Sequence, residues 1–145
     1  MRARVAEGYA PDFDLDLRHG KAIERTVAAF IDGFTNGTVE VKSDRLAVET
    51  GNVYIEDECK RRDGWQSSGI VTTKADYWAL VIGECVVLGI PTVVLRHCYE
   101  KALDPHLRMR RKETDGTHPT RGVAIPLNVL FTWIRIELHK RADAA

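Results

Sequence analysis

The sequence predicts a small α/β fold in one domain, residues 1–145, and three observations carry that expectation. Stretches with apolar residues three and four apart, as helices need, are interspersed with stretches of period two, as half-buried strands need. The composition, 44% hydrophobic and 29% charged, suits a globular chain that buries roughly two-thirds of its unfolded surface around one core. No glycine-rich phosphate loop follows any predicted strand, which sets the chain apart from doubly wound nucleotide-binding folds.

The elements follow in order. "KAIERTVAAFID" (21–32) places Ile23, Val27, Phe30 and Ile31 at helical spacing, expected against a sheet, with Gly33 and Gly37 as stops. "TVEVKSD" (38–44) alternates Val39 and Val41 with Glu40 and Lys42, a half-buried strand, and "NVYIEDECK" (52–60) is a second one after the turn "ETGN". "ADYWALVIG" (75–83) and "CVVLGI" (85–90) read as a hairpin. Pro91 suits the first turn of a helix running to about Leu103, which Asp104 and Pro105 end. Residues 104–121 are polar, basic and punctuated by Gly and Pro, a long loop of the functional kind. "GVAIPL" (122–127) is a last short strand, and "LNVLFTWIRIELHK" a final helix.

Bulk properties exclude several function classes. No apolar run approaches the roughly 20 residues of a membrane span, and the first 20 residues lack an apolar signal segment, so an intracellular protein with no membrane partner is expected. Cys59, Cys85 and Cys98 form no CxxC pair, and the five histidines lack ligand spacing, which argues against a structural zinc site or a disulfide framework. The formal net charge is zero, yet "HLRMRRK" (106–112) is basic and "DFDLDL" (12–17) acidic, so local fields differ from the average.

The strand "VYIEDECKRRDG" carries more charge than a strand needs. Residues two apart share a face at roughly 6.6 Å, which puts Glu56, Glu58 and Lys60 on one side and Ile55, Asp57 and Cys59 on the other. Two carboxylates and an ammonium in a row suit Mg²⁺, a hard ion held by one or two carboxylates plus waters and substrate oxygens, and suit attack of water on a phosphodiester. The bland alternative is a solvated edge strand whose charges discourage aggregation. A hairpin between the two strands would set Asp44, at the end of "VEVKSD", beside Glu58.

Asp44 followed by Glu58-Cys59-Lys60 resembles the signature of the PD-(D/E)xK nuclease superfamily, and "GKAIER" (20–25) is similar to the opening helix of archaeal Holliday-junction resolvases, with Glu24 as the helix glutamate. "SGIVTTKADYWAL" (68–80) resembles small phage and prophage proteins assigned to the same group, and the likeness covers about residues 20–130. The resemblance implies a restriction-endonuclease-like core: a helix, an antiparallel β-meander of three to four strands, a helix, a further short strand and a C-terminal helix. It also implies a Mg²⁺-dependent endodeoxyribonuclease, with Mn²⁺ as a substitute, and a homodimer acting on DNA such as a Holliday junction. Asp44 and Glu58 would then hold the metal with Glu24, and Lys60 would position the attacking water. Alternatively Glu56 and Glu58 take the two motif positions, with Lys60 flanking the site.

Around this centre, Ser68 and Lys74 are candidate phosphate contacts, as are Arg108, Arg110, Arg111 and Lys112 of the basic segment. Trp65 is a candidate for stacking on a base. Two other function classes compete: a catalytically weak nuclease-fold module that binds DNA without cutting it, and a phage interaction or inhibitor protein whose acidic stretches mimic DNA.

Overall fold

The computed structural model describes residues 11–144, with side chains from residue 17 onward. Most of the acidic stretch 12–17 therefore lies outside the described side chains. The chain divides into two compact units, Met1–Asn36 and Gly37–Ala145, where length alone suggests one.

The first unit contributes helix α1 (Pro11–Asn36). It runs through Gly33 instead of stopping there and ends at Asn36, whose amide reaches back to Asp32 Oδ1 at 2.9 Å. Phe30 and Phe34 stack one turn apart, while Ile23, Val27 and Ile31 stay about half exposed.

The second unit is mixed α/β, as expected, but its strands form two sheets and not one meander. In the first sheet, strand β1 (Val39–Asp44) pairs parallel with β4 (Tyr77–Ile82), which pairs antiparallel with β5 (Val86–Pro91). A parallel pair requires a crossover. Here the crossover carries helix α2 (Ala47–Thr50), strands β2 (Asn52–Arg61) and β3 (Gly64–Ser67), and helix α3 (Gly69–Thr72). The second sheet is antiparallel in the order β3-β2-β7-β6, with β6 at Arg110–Glu113 and β7 at Thr120–Pro126. The expected hairpin between the strands of Asp44 and Glu58 does not form, because β1 and β2 belong to different sheets.

The expected long loop after residue 104 holds a 3-10 turn (Pro105–Leu107) and the charged strand β6. Helix α4 (Thr92–Ala102) packs on both sheets, through β4, β5 and β7, and on helix α5 (Leu127–Asp143). The core follows from this: Val53 and Ile55 of β2, Val123 and Ile125 of β7, Trp78 and Leu80 of β4, Val94, Leu95 and Cys98 of α4, and Leu130 of α5. Each of these side chains is essentially removed from water, which stabilises by about 1.5–3 kcal/mol per large aliphatic residue.

Candidate active site

β1 turns its charged side inward. Glu40, Lys42 and Asp44 are half-buried while Val41 is 65% exposed, the opposite of an apolar-inward strand. Lys42 Nζ lies 2.9 Å from Glu40 Oε1 and 5.5 Å from the centroid of the Trp78 ring. Burial pushes the Glu40 pKa up, but hydrogen bonds from Thr73 and Lys42 and the charge of Lys42 outweigh it and leave the carboxyl below its ordinary value. Asp44 closes the strand. Its Oδ1 accepts the Ala47 amide at 3.0 Å and its Oδ2 the Tyr54 amide at 2.8 Å, so one carboxylate ties β1 to the start of α2 and to β2 without strand pairing.

On β2, Glu56 Oε1 accepts the Ser68 hydroxyl at 2.7 Å. Ser68 stands there because its own amide donates to the Asp57 carbonyl and because Gly69, at φ +50°, lets the chain press on the backbone of Glu56, where a Cβ would overlap the carbonyl oxygen. Ser68, expected at a phosphate, is thus occupied in orienting Glu56.

These groups meet at a cavity of about 360 Å³ whose lining includes Lys42, Asp44, Tyr54, Glu56, Trp78 and Lys112. Tyr54 reaches across it to Thr120 Oγ1 at 2.9 Å, with its ring where a Cβ on Gly122 would stand. Burial raises the Tyr54 pKa against the opposing hydrogen bond with Thr120, and the nearby Glu56 and Asp57 charges add to the rise, so the phenol stays neutral. Glu56 and Lys112 are both register partners of Gly122, so a residue without a side chain separates acid from base.

Glu58 does not share this face. The register of β2 against β7 slips between Glu56 and Glu58, with Asp57 as the extra residue, and a bulge of this kind re-aims the side chains after it. Glu58 pairs with Arg121, which by alternation belongs to the face of Val123 and Ile125, and its Oε2 lies 3.7 Å from Arg111 Nη2. Strict alternation, which placed Glu56, Glu58 and Lys60 together, fails at this one position. Lys60 is exposed, 5.8 Å from the Trp65 ring, on which the Arg121 guanidinium also rests at 3.9 Å. Trp65 itself stands on β3.

The remaining candidates separate as follows. Glu24 is exposed on α1, in the first unit, and the cavity belongs to the second. Lys74 is exposed beside Asp76, Thr92 and Arg96, away from the cavity lining. Arg108 is exposed in left-handed backbone, φ +51°, directly after the 3-10 turn. Arg110 and Lys112 border a smaller hollow with Asp44 and Tyr54. Arg111 turns the other way: its Nη1 and Nη2 both bond the carboxylate of Asp57, which is 3% exposed and also accepts the Tyr99 hydroxyl at 2.8 Å.

Lys42 and Tyr54 are the residues that sequence reasoning did not single out. The signal for Lys42 was present in the alternation of Glu40, Lys42 and Asp44 on one strand face.

Chemically, the cavity offers two carboxylates, two ammonium groups, the Arg45 guanidinium and a neutral phenol. Among the described residues no group of three or more His, Cys, Asp and Glu side chains is placed to hold a metal ion. A divalent cation would therefore rest on Asp44 and Glu56 alone with water and substrate oxygens, a donor set that fits Mg²⁺ or Mn²⁺ and not a caged structural metal. No helix among the described residues is long and apolar enough to cross a membrane. No family model matches the chain, and neither curated proteins nor solved structures give a match.

Proposed function

We propose that the chain is a metal-dependent endonuclease acting on DNA, with its site in the cavity between β1, β2 and β6. The observation that carries this reading is that Asp44 and Glu56, from two different sheets, line one cavity with Lys42 and Lys112. A Mg²⁺ or Mn²⁺ ion bound there supplies charge neutralisation at the phosphate and a water of lowered pKa. Asp44 and Glu56 would hold it with the lone pairs that their present hydrogen bonds leave free. Lys42, kept in place by Glu40, orients the attacking water, the role that the family resemblance gives to Lys60. Lys112 binds a non-bridging phosphate oxygen, where a fixed cation lowers the cost of developing negative charge. Cutting both strands of a duplex or junction needs two such sites, hence a homodimer with symmetric pairing.

The test is incubation with supercoiled plasmid and synthetic four-way junctions in Mg²⁺ and in Mn²⁺. Nicking is expected, reduced by about 100-fold or more in Glu56→Gln and Lys42→Ala, which remove groups placed at the reacting atoms. Glu58→Gln and Lys60→Ala should cut like the unmodified protein. Loss of nicking in those two with retention in Glu56→Gln would return the site to Glu58 and Lys60. A DNA-binding module without cleavage is the second reading, favoured by the two backbone amides that already occupy the Asp44 carboxylate. Duplex binding with no nicking in either metal would establish it.

A further inference from the structure

We propose that the buried Asp57 carboxylate, with the Arg111 and Tyr99 side chains bonded to it, is a positioning device, which fixes edge strand β6 so that Lys112 stands at the cavity and Arg110 at the smaller hollow beside it as phosphate contacts. It rests on the nuclease reading above. In "RRKE" successive side chains alternate. With Arg111 drawn inward, Arg110 and Lys112 must both point to the cavity face, roughly 6.6 Å apart, comparable to the separation of neighbouring phosphates on one strand, which exceeds the axial rise of about 3.4 Å because the strand winds around the axis. Neither makes an ion pair among the described residues, whereas Arg111 bonds Asp57 through both terminal nitrogens and lies 3.7 Å from Glu58 Oε2. The middle residue of the basic triplet is the anchor. The outer two are free to meet a ligand.

β6 needs such an anchor. It is four residues long and stands at the sheet edge with β7 as its one hydrogen-bonded neighbour. An edge of this kind opens locally at low cost. The Arg111 side chain reaches past β7 to Asp57 on β2, and Tyr99 joins from α4, so one buried carboxylate ties three elements together. The tie from β7 to Glu113 of β6, Arg121 Nε to Glu113 Oε2 at 3.0 Å, is exposed at both ends, 39% and 52%, where water competes for it. The Asp57 carboxylate is only 4% exposed while the Arg111 side chain is 47% exposed, so removing the guanidinium leaves a buried charge without its partner, and the Asp57 group dominates.

Two variants separate positioning from simple charge. Asp57→Asn removes a negative charge and Arg111→Lys preserves the positive one, so an electrostatic account predicts DNA binding that is tighter in the first and unchanged in the second. Positioning predicts weaker binding in both, because neither keeps the two-pronged carboxylate–guanidinium pair. The measurement is the Kd for a 30-base-pair duplex in Ca²⁺ against salt concentration, alongside amide exchange at residues 111–113 of the folded proteins. Lys112→Ala should lower the salt slope by about 1. Arg111→Lys and Asp57→Asn should lower it by up to about 2, since both contacts loosen, bind about fivefold more weakly and exchange faster in β6, and Arg111→Lys should add nothing once Arg110 and Lys112 are both replaced by alanine. Unchanged exchange in β6, or binding as tight as that of the unmodified protein, overturns the inference. Faster exchange in a protein whose unmodified form binds no duplex overturns the nuclease reading and leaves the anchoring of β6 standing.

Discussion

Glu56 and Asp57 are neighbours on one strand with nearly the same chemistry, and the fold uses them in opposite ways. Glu56 looks into the cavity, held by a single serine hydroxyl, with most of its lone pairs available. Asp57 looks into the protein, 3% exposed, its carboxylate filled by a guanidinium and a phenol. The difference lies in donors and not in the acid: a carboxylate that water can reach stays available for a ligand, and one taken from water persists only when fully paired. On β2, an acid open to the cavity and an acid closed into the core therefore stand side by side.

The sharpest way to break that comparison is to truncate each acid. Asp57→Ala should cost about 3 kcal/mol in urea unfolding, because it removes the charged acceptor of Arg111 and leaves the Tyr99 hydroxyl without its partner. Glu56→Ala should cost about 1 kcal/mol, one hydrogen bond, and take the proposed nicking with it. Equal losses would mean that the two faces of the strand do not divide the work.

A smaller effect is expected at Gly122, which stands on β7 between Glu56 and Lys112 and leaves room for the Tyr54 ring. Gly122→Ala drives a Cβ into the Ile55 carbonyl and the Tyr54 ring and should destabilise by about 1–3 kcal/mol, read as a lower urea midpoint. Next comes an alkaline limit. Burial, the hydrogen bond to Asp57 and the Asp57 charge push the Tyr99 phenol from 10.0 up to about 12. The neutral phenol is thus favoured in the folded state, so its contribution is whole below pH 10.0 and is lost as the pH climbs towards about 12. Tyr99→Phe should lower stability at neutral pH and flatten that alkaline decline, measured by thermal unfolding across pH. Smallest of all, Glu58→Ala and Lys60→Ala should stay within about 0.5 kcal/mol of the parent in urea, as exposed or half-exposed groups without a buried partner do.

Much of the fold was legible in local pattern. The hairpin β4–β5, helix α4 and the extended β2 carry strong periodicity or clean turn signals, and each stands close to where the sequence places it. β3 and β6 were hidden because "GWQS" and "RRKE" hold too few apolar residues to look like strands, and their place depends on partners far along the chain. The pairing of β1 with β4 was invisible for the same reason, since nothing near residue 44 announces a parallel neighbour near residue 82.

Of the acids that the sequence singles out, Asp44 and Glu56 line one cavity, although the hairpin expected to bring Asp44 beside Glu58 does not form. The choice of Glu58 and Lys60 as their companions followed from alternation, and a bulge leaves no signature in composition. Arg111 was read with the other cations of its segment; only the buried Asp57 distinguishes it.

The separation of those pairings along the chain has a consequence for the order in which the molecule is made. Asp44 and Glu56 are both translated early, yet β1 has no sheet until β4 exists, and β2 lacks its central neighbour until β7 has been synthesised. Contacts this remote close slowly and late. A nascent chain truncated before Thr120 would hold both acids and no pocket to put them in.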